Sequence, residues 1–326
     1  MTRKKKICWR AMLQGIGTAV VCWLAAIVLG GLPGAGCSYL ETGPEQGQGE
    51  GQVRKNEESL EIVTTISIFA DLAENVAGAG GSVSYLVPRG ENPEDYELLP
   101  GQVQKLTEAD LVLVNGWGLE EKIEQALDNV AEGRVFYLTR GLEPIPLTGE
   151  QGKDPHAWLD PNHAARYVEN IAAALVEVDP EREAIYRENS GAYLEKLQEL
   201  DSWTREQLQT VPEDARYLII SENALKYFGE AYAFQTEGIW ELNAHEEGTP
   251  QQIQRIVDLV AEKEIPALFV ESTVDRRYMK TISRETGVPI AGLVYTDALG
   301  NPGNGAETYL EMIRYNVEMF REGLGR

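Results

Sequence analysis

From Pro180 to about Thr210 the chain carries Tyr186, Tyr193, Leu197, Leu200 and Leu208 on one stripe, with charged residues elsewhere. That is the pattern of a single helix buried along one face. At 1.5 Å per residue it reaches roughly 45 Å. Asp179-Pro180 supplies an N-cap and a first-turn proline for it, and Asp160-Pro161 supplies the same pair for a preceding helix through about Val178. A rod of this length confines the fold to whatever can be built on either side of it.

On both sides the chain alternates strand-like and helix-like segments. Glu61-Ile62-Val63-Thr64-Thr65-Ile66 is a β-rich run, followed by Phe69, Leu72, Ala73 and Val76 at helical spacing. Further strands are expected at Val83 to Pro88, Leu111 to Asn115 and Val135 to Leu138. Beyond the rod, compact apolar strands are expected at Tyr217 to Ser221, Ala267 to Glu271 and Ile290 to Thr296. Such alternation predicts an α/β protein of two Rossmann-like lobes with largely parallel sheets. The 326 residues, 43% of them hydrophobic, can fill two cores.

The N-terminus is different in kind. Arg3, Lys4, Lys5, Lys6 and Arg10 precede an apolar stretch from about Met12 to Leu32, as in an export signal. Positive charge on the cytoplasmic side directs the rest of the chain out of the cytoplasm. Gly34-Ala35-Gly36-Cys37 resembles the lipobox of bacterial lipoproteins, with Gly34 where leucine is usual, so Cys37 is the expected lipidation site. The competing reading is an uncleaved membrane anchor, since about 20 apolar residues can span a bilayer. Cys8 and Cys22 lie within the signal, leaving Cys37 alone in the mature chain. An internal disulfide, thiol catalysis and cysteine-bound zinc are thereby excluded.

The net charge of −23 includes those five N-terminal cations, so the remainder stands near −28. Nucleic acid is excluded as a partner, and the acidity suits cations. Ser38 to Ser59, rich in Gly, Gln and Glu, cannot bury enough surface to fold and reads as a tether. The expected layout is a signal over 1–36, a tether over 37–59, a lobe over 60–179, a connecting helix over 180–210 and a second lobe over 211–326.

In parallel α/β sheets ligands bind at the carboxyl ends of strands. Four polar residues occupy such places: Glu94, His156 in Asp154-Pro155-His156-Ala157-Trp158, Glu222 after Leu218-Ile219-Ile220-Ser221, and Asp297 after Val294-Tyr295-Thr296. Taken alone, His156 also reads as a hydrogen-bonded loop histidine, and Glu222 and Asp297 as helix caps. Glu94 reads as solvated charge in the acidic loop from Asn92 to Glu97. His163, at the start of a helix, is expected to aim elsewhere, and His245, in the loop from Asn243 to Glu247, to face solvent.

Several longer motifs run in order along the chain: Ile66-Ser67-Ile68-Phe69-Ala70-Asp71, Asp154-Pro155-His156-Ala157-Trp158-Leu159, Ser221-Glu222 leading into Lys226-Tyr227-Phe228, Glu246-Glu247-Gly248-Thr249-Pro250, Val270-Glu271-Ser272 and Thr296-Asp297-Ala298. By these motifs the chain resembles the metal-receptor family of ABC-importer substrate-binding proteins, the zinc/manganese-binding lipoproteins, over nearly all of Leu60 to Leu324. The resemblance implies two similar lobes joined by one long helix, with a single metal in the cleft held by two side chains from each lobe. Carried over by motif, His156, Glu222 and Asp297 fill three of those places. The fourth is usually the histidine of a Pro-His-Glu-Tyr-Glu-Pro motif. Here Asn92-Pro93-Glu94-Asp95-Tyr96-Glu97-Leu98 puts Glu94 in that position.

Three carboxylates and one imidazole form a hard, oxygen-rich donor set that suits Mn(II), with Zn(II) or Fe(II) next. The resemblance also implies a monomer held on the outer face of the cytoplasmic membrane, handing its ion to an ABC permease and its ATPase. A stiff connecting helix limits lobe motion. The alternative is a surface adhesin or signalling lipoprotein whose metal site has lapsed, with Glu94 as the first symptom. An enzyme would need an activated water beside the metal, with Glu94 as base. No nucleophile elbow, phosphate-cradling glycine loop or two-histidine helical zinc motif supports turnover.

Overall fold

A computed structural model describes residues 59–130, 133–149, 151–242 and 248–325. The expected signal, the tether, Cys37 and the loop with His245, Glu246 and Glu247 lie outside the described residues. Among the described residues no helix is long and apolar enough to cross a membrane.

The β-branched Ile62, Val63 and Thr64 suit a pleated surface, and they lie in strand β1 (Leu60–Thr64), followed by helix α1 (Ser67–Ala77) and strand β2 (Gly81–Tyr85). Helix α2 (Pro100–Glu108), strand β3 (Leu111–Val114), the single turn α3 (Glu124–Leu127) and strand β4 (Val135–Tyr137) complete a parallel sheet of order β2-β1-β3-β4. Helix α4 (Pro161–Val178) starts where Asp160-Pro161 predicts, the Asp160 side chain accepting from the Asn162 N–H.

The rod is helix α5 (Glu183–Leu208), preceded by a 3-10 turn over Pro180–Arg182. Tyr186, Tyr193, Leu197, Leu200 and Leu208 are all buried on it, as the stripe requires. Its 26 residues make it about 39 Å long, slightly shorter than expected. Asp179 does not cap it. Its Oδ2 instead accepts from Arg182 Nη1 at 2.6 Å and the Tyr186 hydroxyl at 2.7 Å. The tight turn brings both donors within reach, and the charge-assisted bond outcompetes a backbone amide.

Beyond the rod, strand β5 (Tyr217–Glu222), helix α6 (Lys226–Tyr232) and strand β6 (Gln235–Trp240) form one parallel pair. Helix α7 (Pro250–Glu262), strand β7 (Leu268–Glu271), helix α8 (Arg277–Thr286) and strand β8 (Ile290–Val294) form a second. Helix α9 (Tyr309–Leu324) is the last element. Strand β6 is not among the expected strands, because Gln235, Glu237 and Gly238 break the apolar pattern. Gly238 is required there: a Cβ would stand 2.3 Å from the backbone nitrogen of Asn223.

Helix α5 packs on α1, α4 and α9. A continuous buried cluster follows it from Phe69, Trp158 and Tyr167 through Leu197 to Tyr309 and Phe320. The lobes are therefore joined by a shared aromatic core as well as by the rod. Phe69 meets Trp158 edge-on at 5.2 Å, and Phe269 meets Phe320 in the same way at 5.1 Å.

One buried carboxylate organises the turn after β3. Glu120 Oε1 accepts from Asn115 N and Thr65 Oγ1, both at 2.8 Å, and Oε2 accepts from Gly116 N at 2.9 Å. Asn115 in turn donates its side-chain amide to Pro155 O at 3.0 Å, fixing the segment that carries His156.

Leu200→Ala should lower urea-derived stability by about 2–5 kcal/mol, against about 0.5 or less for exposed Glu188→Ala; equal effects would contradict a buried stripe. Burial pushes Glu120 up from 4.5 to about 7, its hydrogen-bond donors notwithstanding. Its contribution to stability is then complete below its unfolded value and lost as pH rises through about 7. Glu120→Gln should flatten the fall in stability between roughly pH 5 and pH 8; an unchanged slope would contradict a protonated Glu120.

Candidate metal centre

Each of the four singled-out residues sits at the end of a strand or in a loop that leads from a strand to a helix. Glu222 is the last residue of β5, and Asp297 follows β8 by three residues. Glu94 lies in the loop between β2 and α2, its N–H bonded to Asn92 Oδ1 at 2.9 Å in a side-chain-closed turn. His156 lies directly before a 3-10 turn, Ala157–Leu159, that leads into α4. All four are buried: Glu94 is 2% exposed, His156 1%, Glu222 3% and Asp297 5%.

The structure brings them together. His156 Nε2 stands 3.3 Å from Glu222 Oε1 and 3.3 Å from Asp297 Oδ1. Glu94, His156 and Glu222 each offer a ligand atom within 4.8 Å of the other two. Among the described residues, His156 Nε2, Glu222 Oε1 and Asp297 Oδ1 are buried with no hydrogen-bond partner. Buried polar atoms are normally paired, and these three converge so that one bound cation would satisfy them together. Donors placed 2.0–2.2 Å from one ion at tetrahedral angles are about 3.4 Å apart, close to the separations found. The donor set therefore fits a single divalent cation.

Electrostatics agree. Burial drives Glu222 well above the ordinary carboxylate range, and the charge of Glu94 pushes it further up, against the opposing influence of His156. Burial disfavours a charged His156, but the carboxylates of Asp154 and Asp297 outweigh it and hold the imidazole well above its usual value. Burial also acts to raise Asp297, yet His156 and the hydroxyls of Thr296 and Thr273 leave it lowered. Without a cation, protons are what keep these charges compatible.

His163 does not join the cluster. It is partly exposed, with Nδ1 3.7 Å from Asp160 Oδ2 and its ring edge-on to Tyr227 at 5.4 Å. Three supporting residues carry no role in the sequence reading, although they lie inside its motifs. Asp154 Oδ1 takes both the His156 N–H at 2.9 Å and His156 Nδ1 at 3.0 Å, which leaves Nε2 facing the site. Lys226 Nζ lies 3.5 Å from Asp154 Oδ2. Glu271, at the end of β7, accepts from Ser221 N at 2.7 Å and Glu222 N at 3.3 Å and so fixes the backbone of Glu222. Burial, with the charge of Asp297, raises Glu271 to about 8. Val270-Glu271-Ser272 ends its strand as Ser221-Glu222 does, and that parallel is the signal the sequence offers.

Residues 62–323 match the family model described as zinc-uptake complex component A, periplasmic. The chain is 48% identical over 306 residues to the manganese-binding lipoprotein MntA of Halalkalibacterium halodurans, covering 94% of this chain and 99% of that one. It is 35% identical over 324 residues to the manganese ABC transporter substrate-binding lipoprotein PsaA of Streptococcus anginosus, covering 96% and 100%. Among solved structures, the periplasmic zinc-binding protein TroA of Treponema pallidum superposes with a TM-score of 0.78 at 26% identity, over 82% of this chain and all of that one. A Mn-bound mutant of a periplasmic metal-binding protein from Candidatus Liberibacter asiaticus gives 0.77 at 28% identity, with the same coverage. With matching family model, full-length relatives and fold in hand, the chain belongs to the zinc-uptake complex component A family of metal ABC-importer substrate-binding proteins.

Proposed function

We propose that this protein captures one divalent transition-metal ion outside the cytoplasm, through Glu94, His156, Glu222 and Asp297, and delivers it to an ABC permease driven by its ATPase. The observation that carries the reading is the meeting of His156 Nε2, Glu222 Oε1 and Asp297 Oδ1 at 3.3 Å from the imidazole, buried and without hydrogen-bond partners among the described residues. Mn(II) is favoured over Zn(II) and Fe(II) because three of the four donors are carboxylates, which are hard and can bind through both oxygens. Glutamate at position 94 adds to the oxygen-rich character. Relatives named for manganese point the same way. The ion is cargo, bound and released unchanged, so the protein acts as a receptor and not as an enzyme.

In this reading residues 1–36 are a signal, Cys37 carries the lipid, and 37–59 tether a monomeric receptor to the outer face of the cytoplasmic membrane. Residues 60–179 and 211–326 are the two lobes, joined by the helical segment 180–210. The continuous aromatic core beside α5 favours release by modest rearrangement of ligand loops over a wide hinge opening.

Titration of metal-free protein with Mn(II) is expected to give one equivalent per chain, lost or weakened at least tenfold in Glu94→Ala, as removal of a ligand requires. Full retention of affinity in that variant would remove Glu94 from the set. Because Glu222 and His156 are both shifted upward, protons compete with the ion for the metal-free site. Affinity should therefore rise from pH 6 to pH 8. Calorimetry in buffers of different ionisation enthalpy should show about one proton or more released per ion, and zero release would contradict the assigned ligands.

A further inference from the structure

Lys226 is a buried cation, 8% exposed, at the first turn of α6 beyond the rod. Its Nζ lies between two carboxylates: Asp154, 3.5 Å away, on the near side of the rod, and Glu241, directly bonded, just after β6. Glu241 is itself held by Asn223 Nδ2 at 3.0 Å and by Thr148 N at 2.9 Å. The next residue, Tyr227, donates its hydroxyl to Asp154 O at 2.7 Å and accepts from Ile145 N at 2.9 Å. The first lobe is thus fastened to α6 and β6 of the second through Ile145, Thr148 and Asp154. Asp154 is the carboxylate that holds His156 Nδ1.

The chain of contacts runs Glu241, Lys226, Asp154, His156, and crosses between the lobes at the Lys226–Asp154 pair. A carboxylate that accepts from one imidazole nitrogen fixes the ring and its tautomer, which sets the strength of the other nitrogen as a ligand. A contact on the second oxygen restrains a buried carboxylate that is already held through the first. Oδ1 is engaged by His156 and Oδ2 faces Lys226. We infer that Lys226 is a positioning residue for metal capture: reaching from α6 to the loop before α4, it steadies Asp154 so that His156 presents Nε2 to the ion.

This inference rests on the receptor reading and is tested alongside it. Mn(II) dissociation constants are measured on the full chain in detergent for wild type, Lys226→Met, Asp154→Asn and the double variant. Removing a partner that orients a ligand weakens metal binding by about ten- to a hundredfold, and Lys226→Met is expected to fall in that range. Because Lys226 acts through Asp154, the double variant should bind no more than about twofold more weakly than Asp154→Asn alone; residues in one network are not additive. Lys226→Gln, which keeps a donor between the carboxylates, is expected at the lower end of the range and guards against a Lys226→Met chain that does not fold. In nitrogen-15 histidine spectra the metal-loaded wild type should show His156 protonated at Nδ1. The inference is overturned if Lys226→Met and Lys226→Gln bind as wild type does, or if the losses multiply in the double variant. Wild type that binds no Mn(II) would overturn the receptor reading instead, and this inference with it.

Discussion

Three carboxylates and an imidazole, all buried, converge where the two halves of the chain meet, and among the described residues no hydrogen bond satisfies the His156, Glu222 and Asp297 atoms that face one another. Charge burial on this scale is strongly unfavourable unless the charges are paired. Protons can relieve it by keeping Glu222 neutral, and a divalent ion can relieve it by binding to all of them. These are competing occupants of the same site. In the proposed reading, capture of metal and release of protons are therefore two descriptions of one exchange.

The rest of the molecule serves to keep those side chains apart from water and in register. Strand ends deliver Glu222 and Asp297, while Glu271 and the hydroxyls of Thr273 and Thr296 hold them. On the other side, Glu120 fixes Asn115, Asn115 fixes Pro155, and Asp154 fixes His156. The shared core adds Trp158, whose indole donates to Thr296 O at 2.7 Å and whose carbonyl accepts from the Tyr309 hydroxyl at 2.8 Å. The indole thus ties the neighbourhood of His156 to that of Asp297. Packing of this density resists continuous deformation, so change at the site is expected to pass through small loop and side-chain steps.

Much of this architecture is legible in the sequence. The stripe on α5 and the Asp160-Pro161 start of α4 depend on local chemistry, and both appear as read. The parallel strands β3, β5 and β7 are visible because buried strands are nearly continuous apolar runs, and β1 and β8, only partly buried, are visible by their β-branched and apolar residues. Strand β6 is not, because Gln235 and Glu237 interrupt its pattern and Gly238 is set by the approach of Asn223. At the site, Glu94, His156, Glu222 and Asp297 can be picked out by their places after strands and by motif. Lys226 and Glu241 cannot, since their significance comes from meetings that no local pattern encodes: Lys226 with Asp154, 72 residues away along the chain, and Glu241 with Lys226. Asp179 shows a smaller limit: its sequence context marks a cap, but its carboxylate goes instead to Arg182 and Tyr186 in the turn and helix that follow.

The central claim is that one ion joins the two halves of the chain through these four side chains. Anomalous diffraction from crystals grown with Mn(II), collected on either side of the manganese edge, tests it most directly. The account predicts a single strong peak within coordination distance of His156 Nε2 and of carboxylate oxygens from Glu94, Glu222 and Asp297. A peak elsewhere, or one that touches residues of only one lobe, would contradict it.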